Sequence, residues 1–155
     1  QFWDGRDPHL EAQAQGPIQA GPEMAAPKSL VVDRVTSMPQ YVEEFKKAYG
    51  DKEVTFELIT DTIAVFERTL ITPSRYDAFL NGNMTALSDA EKEGLKTFID
   101  KGCATCHNDI GLGGTMMPFD NSKYDFAKGD FTGNTNGMVK TPTLRNIEET
   151  APYFH

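Results

Sequence analysis

The two cysteines of this 155-residue chain lie in one short string, Cys103-Ala104-Thr105-Cys106-His107. Two thiols so close together cannot staple distant parts of a small fold, so no disulfide scaffold is expected. The pattern C-x-x-C-H is the attachment signature of c-type haem. Two thiols separated by two residues can each add to one vinyl group on the same porphyrin edge. The histidine that follows is then placed to bind iron from the proximal face, its other ring nitrogen donating to a backbone carbonyl. A zinc site would want about four ligands, and only His9 and His155 remain as further histidines, with no second cysteine pair. A thioredoxin-like dithiol would want a βαβ context, and strand signals are scarce. Cys103, Cys106 and His107 are therefore expected to bind haem c. A sixth iron ligand could come from Met116, Met117 or Met138, although each of these also suits a gap-filling role in a loop-rich core.

The surrounding pattern is helical. Leu30, Val31 and Val35 suit a short helix ending before Pro39. Ser37 can cap the next, whose face is Tyr41, Val42, Phe45 and Ala48, and Gly50 stops it. Thr55 caps a helix with Phe56, Ile59, Ile63, Phe66 and Leu70 at helical spacing, ended by Pro73. Another turn of helix is expected over Arg75 to Leu80, closed by Asn81-Gly82. Ser88-Asp89-Ala90-Glu91 fits a capping box that launches a helix with Leu95, Phe98 and Ile99 on one face. Residues 1–27 hold four prolines and three glycines and read as extended loop with one helical turn near Pro8–Gln15. Residues 108–140 read as a long loop with a short hairpin around Gly133–Gly137, and Thr143 to Glu149 as a last helical turn. The fold class expected is all-α, a cytochrome c-like haem domain with long ordered loops. The division expected is an active-site or interdomain loop segment at 1–27 and a haem domain at 28–155. The terminal cluster Pro152-Tyr153-Phe154-His155 is expected to be buried, and the chain to be one segment of a longer protein.

Charge narrows the partners. The chain carries 15 basic and 23 acidic residues, a formal net charge of −8. Such a balance argues against nucleic acid, which would want a basic face, and permits a basic protein partner. Apolar runs are only a few residues long, so no membrane span is expected.

Several strings together resemble the bacterial di-haem cytochrome c peroxidases and their relatives, which include the methylamine dehydrogenase maturation enzyme. They are Phe2-Trp3-Asp4-Gly5-Arg6, Leu10-Glu11-Ala12-Gln13-Ala14 with Gly16-Pro17-Ile18, and Pro22-Glu23-Met24. Further along come Phe66-Glu67-Arg68-Thr69-Leu70-Ile71-Thr72-Pro73, Lys101-Gly102-Cys103 through His107, Leu112-Gly113-Gly114, Thr141-Pro142-Thr143-Leu144-Arg145-Asn146, and Thr150 to His155. In that family two c-type haem domains face each other, one peroxidatic and one electron-transferring, with calcium at the interface. The chain resembles the stretch that follows the first haem domain and covers most of the second. The family's first C-x-x-C-H and the segment carrying the axial Met of the electron-transfer haem have no counterpart in this sequence.

The resemblance implies a periplasmic enzyme that reduces hydrogen peroxide with electrons from a small cytochrome c or cupredoxin, commonly as a homodimer. A single-haem electron carrier without turnover is the alternative. By the same resemblance, Trp3 matches the tryptophan between the haems, Glu23 the glutamate on the peroxide side of the peroxidatic haem, and Gln13 a second residue of that pocket. The loop over residues 10–25 rearranges in relatives. Arg145 is a candidate partner for a haem propionate, Thr150 and Pro152 match carbonyl ligands of calcium, and His155 matches a histidine near the haem interface. Each has a plainer reading: Trp3 as a core anchor, Glu23 as a solvent-facing loop residue, Gln13 as a surface helix residue, and Arg145 as an ion-pair partner of Glu148 or Glu149.

Overall fold

The computed structural model describes residues 1–118 and 136–153. These form helices α1 (Leu10–Gln13), α2 (Gln15–Gln19), α3 (Lys28–Thr36), α4 (Pro39–Tyr49), α5 (Phe56–Glu67), α6 (Arg75–Leu80) and α7 (Asp89–Asp100). A 3-10 turn covers Cys103–Thr105, and two short strands, β1 (Met116–Pro118) and β2 (Met138–Lys140), complete the set. The described residues are thus mostly helical, as expected. The strands are antiparallel, pairing Met116 with Lys140, Met117 with Val139 and Pro118 with Met138. The chain divides into two compact units, one made of Asp7–Ile71 and the other of Gln1–Arg6 with Thr72–His155. The boundaries of these units fall at 6/7 and 71/72.

The unit Asp7–Ile71 is organised on α5. The Thr55 hydroxyl accepts the Leu58 N–H at 3.1 Å and starts that helix, as its position suggests. Phe56, Ile59, Thr60 and Ala64 are buried at i, i+3, i+4 and i+8, one stripe of an α-helix. Thr60 is a polar member of that stripe, and its hydroxyl donates back to the Glu57 carbonyl at 3.0 Å, so burial leaves it bonded. Ala14 and Ile18, from α1 and α2, are also buried. Two ion pairs tie early segments to α5 and its end. Glu11 meets Arg68 at 2.7 Å, and Lys28 meets Glu57 at 2.8 Å. The stripe fades toward the C-terminal end, where Phe66 and Leu70 are exposed.

The described residues of the other unit form capped helices with little apolar interior. Both helices begin with a complete capping box, Ser74 with Asp77 for α6 and Ser88 with Glu91 for α7. Each box acid also takes an arginine from elsewhere in the unit. Arg75 reaches Glu91 at 3.0 and 2.5 Å, and Arg145 reaches Asp77 at 3.0 and 2.7 Å. Among the described residues of this unit the buried hydrophobic side chain is Leu87.

Several local expectations are corrected. Residues 1–27 hold two short helices where one helical turn was expected. His9 caps the first by accepting the Ala12 N–H on Nδ1 at 3.2 Å, a role that sequence rules assign to Ser, Thr, Asp or Asn. Pro17 sits inside the first turn of α2, where its missing N–H costs nothing. Ser37 does not cap α4. It ends α3 with its hydroxyl on the Arg34 carbonyl, and Met38 is the cap with Pro39 at the first helical position. The last helical turn expected over Thr143 to Glu149 is a turn only, because Asn146 is left-handed (φ 58°) and interrupts any helix there. Tyr153 is half exposed rather than buried, while Phe154 and His155 lie outside the described residues. The hairpin expected around Gly133–Gly137 falls mainly outside them as well.

Ile59→Ala should destabilise the protein by about 2–5 kcal/mol, measured by urea unfolding, because it opens a cavity in the α5 stripe. A hydrogen bond from Arg68 holds the Glu11 carboxyl at about 2 against an ordinary 4.5. A depressed acid contributes stability above its unfolded value and loses it as pH falls through its folded one. Stability should therefore drop between about 4.5 and about 2, and Arg68→Met should flatten that part of a urea-midpoint profile.

Candidate haem-attachment site

The site begins with how α7 ends. Gly102 follows the last turn in the left-handed region (φ 80°), where glycine carries no Cβ penalty, and reverses the chain into the 3-10 turn. That turn is closed by three backbone bonds: Thr105 N–H to Gly102 at 3.0 Å, Cys106 N–H to Cys103 at 3.2 Å, and His107 N–H to Cys103 at 3.0 Å. The Asn108 amide donates back to the Ala104 and Thr105 carbonyls at 3.2 and 3.0 Å, bracing the turn. Cys103 is exposed and Cys106 half-buried, and neither is in a disulfide. The structure therefore brings Cys103, Cys106 and His107 together on one rigid turn, as the sequence implies.

The imidazole is oriented by main chain. His107 Nδ1 lies 3.3 Å from the Leu112 carbonyl oxygen, which can only accept. The proton of the neutral ring then sits on Nδ1, and the lone pair on Nε2, the arrangement a metal-ligating histidine uses. Leu112 is held in turn by the chain opposite. The Leu144 N–H donates to the same carbonyl at 3.3 Å, and Gly114 N–H donates to Thr141 O at 2.7 Å. Thr141 N–H and hydroxyl both donate to Thr115 O at 2.8 Å. A Cβ on Gly113 would stand 2.4 Å from the Pro142 oxygen, so only glycine lets these two strips approach.

Arg145 has a different setting from either expectation. Its partners are Asp77 and, through Nε at 2.5 Å, the Ile110 carbonyl, not Glu148 or Glu149. The pair is largely shielded, with side chains 17% and 23% exposed. The bonds from Arg145 and then Ser74 hold the Asp77 carboxyl far below the usual carboxylate range, and the same pair raises Arg145.

The other residues singled out by sequence stand as follows. Trp3 is 52% exposed, so it is no core anchor. Its place is set by main chain, the Lys140 N–H donating to its carbonyl at 2.7 Å at the end of β2. Gln13 is half-buried on α1, and Glu23 is exposed in the turn after α2, flanked by exposed Pro22 and Met24. That turn is tied back by Ala25 N–H to Ala20 O at 3.0 Å, Met24 N–H to Pro17 O at 3.3 Å and Ala26 N–H to Ile18 O at 2.9 Å. Met116 and Met117 are neighbours on β1 and so point to opposite faces, while Met138 begins β2. The Met116 sulfur packs against Gly5, only 2.7 Å from where a Cβ there would stand. Thr150 and Pro152 are exposed, and the Thr150 hydroxyl donates to the Asn146 carbonyl at 3.3 Å. His155 lies outside the described residues. Three residues had no role assigned from the sequence: Asp77, and Leu112 and Gly113, which stood only within a string of the resemblance. Ser74-Arg75-Tyr76-Asp77 has capping-box spacing, which marks Asp77 as a cap but not as the partner of a residue 68 positions away.

These residues fit a covalently held haem. Two accessible thiols lie at the required spacing, and the histidine beside them presents Nε2 as its lone-pair nitrogen. The unit around them buries one hydrophobic side chain among its described residues, while Leu80, Met84, Ile99, Ile110 and Ile147 stand exposed. A porphyrin would supply the apolar surface that such a set of side chains lacks.

The fold and this turn define a largely helical protein whose C-x-x-C-H turn fits c-type haem attachment. A family model for di-haem cytochrome c peroxidases matches residues 1–85. The cytochrome c551 peroxidase of Nitrosomonas europaea is 45% identical over 165 residues, covering 100% of this chain and 49% of that protein. The cytochrome c551 peroxidase of Pseudomonas aeruginosa is 42% identical, again over 100% of this chain and 49% of the relative. The Escherichia coli cytochrome c peroxidase Ccp is 40% identical over 100% of this chain and 36% of its own length. The chain belongs to the di-haem cytochrome c peroxidase family, and that membership implies haem c. It spans half or less of the length of these relatives.

Gly113→Ala should separate the 111–115 and 141–145 strips and lower unfolding free energy by about 1–3 kcal/mol, read by thermal or urea unfolding of the haem-loaded protein.

Proposed function

We propose that this chain is the electron-transfer haem domain, with the active-site loop, of a periplasmic di-haem peroxidase. The net reaction is H2O2 with two protons and two electrons giving two waters. The observation that carries this reading is the C-x-x-C-H turn, oriented through Leu112, in a chain that aligns end to end with named cytochrome c peroxidases at 40–45% identity. Haem c bound at Cys103, Cys106 and His107 supplies a one-electron store. Electrons would come from a small cytochrome c or cupredoxin, and a net charge of −8 suits a basic donor.

The chain's own residues have defined tasks in this reading. Trp3 offers an exposed aromatic surface at the end of the β pair for coupling between the two haems. Glu23 moves a proton from the proximal to the distal peroxide oxygen, the transfer that O–O cleavage needs, and Gln13 donates a hydrogen bond to bound peroxide. The exposed turn that carries Glu23 would acquire its apolar surround from the rest of the enzyme. The Thr150 and Pro152 carbonyls would bind calcium, a hard cation served by oxygen ligands. Arg145 keeps Asp77 rather than a propionate as its partner. A homodimer is the expected assembly.

The test is the haem count of the full-length protein, from intact mass and pyridine haemochrome absorbance, followed by peroxide turnover. Two haems per polypeptide and turnover are expected. One haem without turnover would make it an electron carrier instead. Glu23→Gln should lower peroxide turnover by about 10²–10⁴-fold while leaving the redox titration of the haem at His107 in place.

A further inference from the structure

Three consecutive carbonyls on the loop after His107 are each taken by a donor from one short strip. Ile110 O accepts from Arg145 Nε at 2.5 Å, Gly111 O accepts the Thr143 hydroxyl, and Leu112 O accepts the Leu144 N–H at 3.3 Å. The strip is tightened internally, since the Arg145 N–H donates to the Thr143 hydroxyl at 3.1 Å. The loop it grips is not relaxed. Asp109 (φ 63°) and Leu112 (φ 49°) are both non-glycine residues in the left-handed region, and such conformations persist only where surroundings over-determine them. Leu112 is the residue whose carbonyl faces His107 Nδ1.

Besides the Thr141 bonds to Gly114 and Thr115, the strip is anchored through Arg145. The Arg145 guanidinium makes two parallel bonds to Asp77, at 3.0 and 2.7 Å. Asp77 is immobile in turn, because its Oδ2 accepts from the Ser74 N–H at 2.6 Å and the Ser74 hydroxyl at 2.8 Å as part of the α6 cap. A rigid helix start, a bidentate ion pair and three gripped carbonyls therefore lead without a gap to the imidazole. We propose that the Asp77–Arg145 pair is a positioning device for His107, holding the Leu112 carbonyl where it fixes the ring's tautomer and orientation. The inference rests on reading His107 as the haem-iron ligand. Neither Asp77 nor Arg145 is a catalytic residue in it; both act through the backbone of residues 110–112.

The sign of the effect follows from the bond. An Nδ1–H donating to a carbonyl makes the imidazole a stronger donor to iron and favours the ferric state. Loosening the clamp should weaken that bond and raise the midpoint potential. The same unit holds a built-in control, the Arg75–Glu91 pair on the Ser88 cap, which is of the same kind but has no bond to the 110–112 loop.

The experiment uses the full-length, haem-loaded protein and compares Asp77→Asn, Arg145→Lys and the double variant with Arg75→Lys. Haem attachment should stay unchanged in all of them by pyridine haemochrome. The two single variants and the double should shift the one-electron equilibrium at this haem about three- to tenfold toward the reduced form, where tenfold is ~59 mV. The double should shift no further than the larger single, because the residues act as one unit. Low-spin ferric electron paramagnetic resonance should change in the same three. Arg75→Lys should lower thermal stability and leave potential and spectrum in place. The clamp is refuted if Asp77→Asn loses stability with an unmoved potential, or if Arg75→Lys shifts the potential as much. Should Asp77→Asn fail to accumulate, Thr143→Val removes one donor from the loop and must give a smaller shift of the same sign, or the inference falls. Wild-type protein with no haem on Cys103 and Cys106 would instead refute the functional reading beneath it.

Discussion

Among its described residues, the part of the chain that carries Cys103, Cys106 and His107 has little apolar core of its own. Leu87 is its buried hydrophobic side chain among the described residues, and one such side chain contributes about 2 kcal/mol. Order there comes from polar anchoring. The α6 and α7 starts each spend a box acid twice, once on the helix cap and once on an arginine brought from elsewhere. An acid already fixed by its cap loses little further freedom on pairing, so the second bond is made at low entropic cost. Such anchors organise a surface on which a flat apolar cofactor can serve as the missing interior.

The contrast with Asp7–Ile71 is one of kind. That unit has an amphipathic helix, α5, with a buried stripe of ordinary spacing, and its ion pairs sit at the edges. It carries Gln13 half-buried and Glu23 exposed, on short helices and a tied-back turn. The haem-attachment residues are thus fixed by backbone bonds on every side, while Glu23 stands on a turn whose own side chains bury nothing around it. A group that must keep one ring orientation needs the first arrangement. Under the proposed function, a proton-relaying carboxylate whose pocket is completed by other parts of the enzyme suits the second.

Local features were legible because they depend on residues a few positions apart. Thr55, Gly50, Gly102 and the Ser88–Glu91 box act within a single turn, and their roles follow from one hydroxyl, one acid or one missing Cβ. The misreadings have equally local causes. His9 took a capping role that side-chain rules reserve for smaller acceptors, and Asn146 adopted a left-handed conformation in a stretch with helical composition. Trp3 suits a core anchor by residue type, yet the backbone of β2 places it, and backbone pairing leaves no trace in side-chain identity.

The sequence by itself determined the chemistry: two thiols and a histidine at the spacing of haem attachment, and the strings that mark the family. That much is covalent, and covalent spacing is written in order along the chain. What the tertiary structure decided is which neighbours those groups meet. Arg145 could have paired with Glu148, Glu149 or a propionate on sequence grounds, and it is Asp77, brought near by the α6 start, that takes it. Leu112 gives no chemical sign of importance, because what it contributes is a carbonyl common to every residue. Only the folding of the 141–145 strip onto 110–115, permitted by the absent side chain at Gly113, turns that carbonyl toward His107.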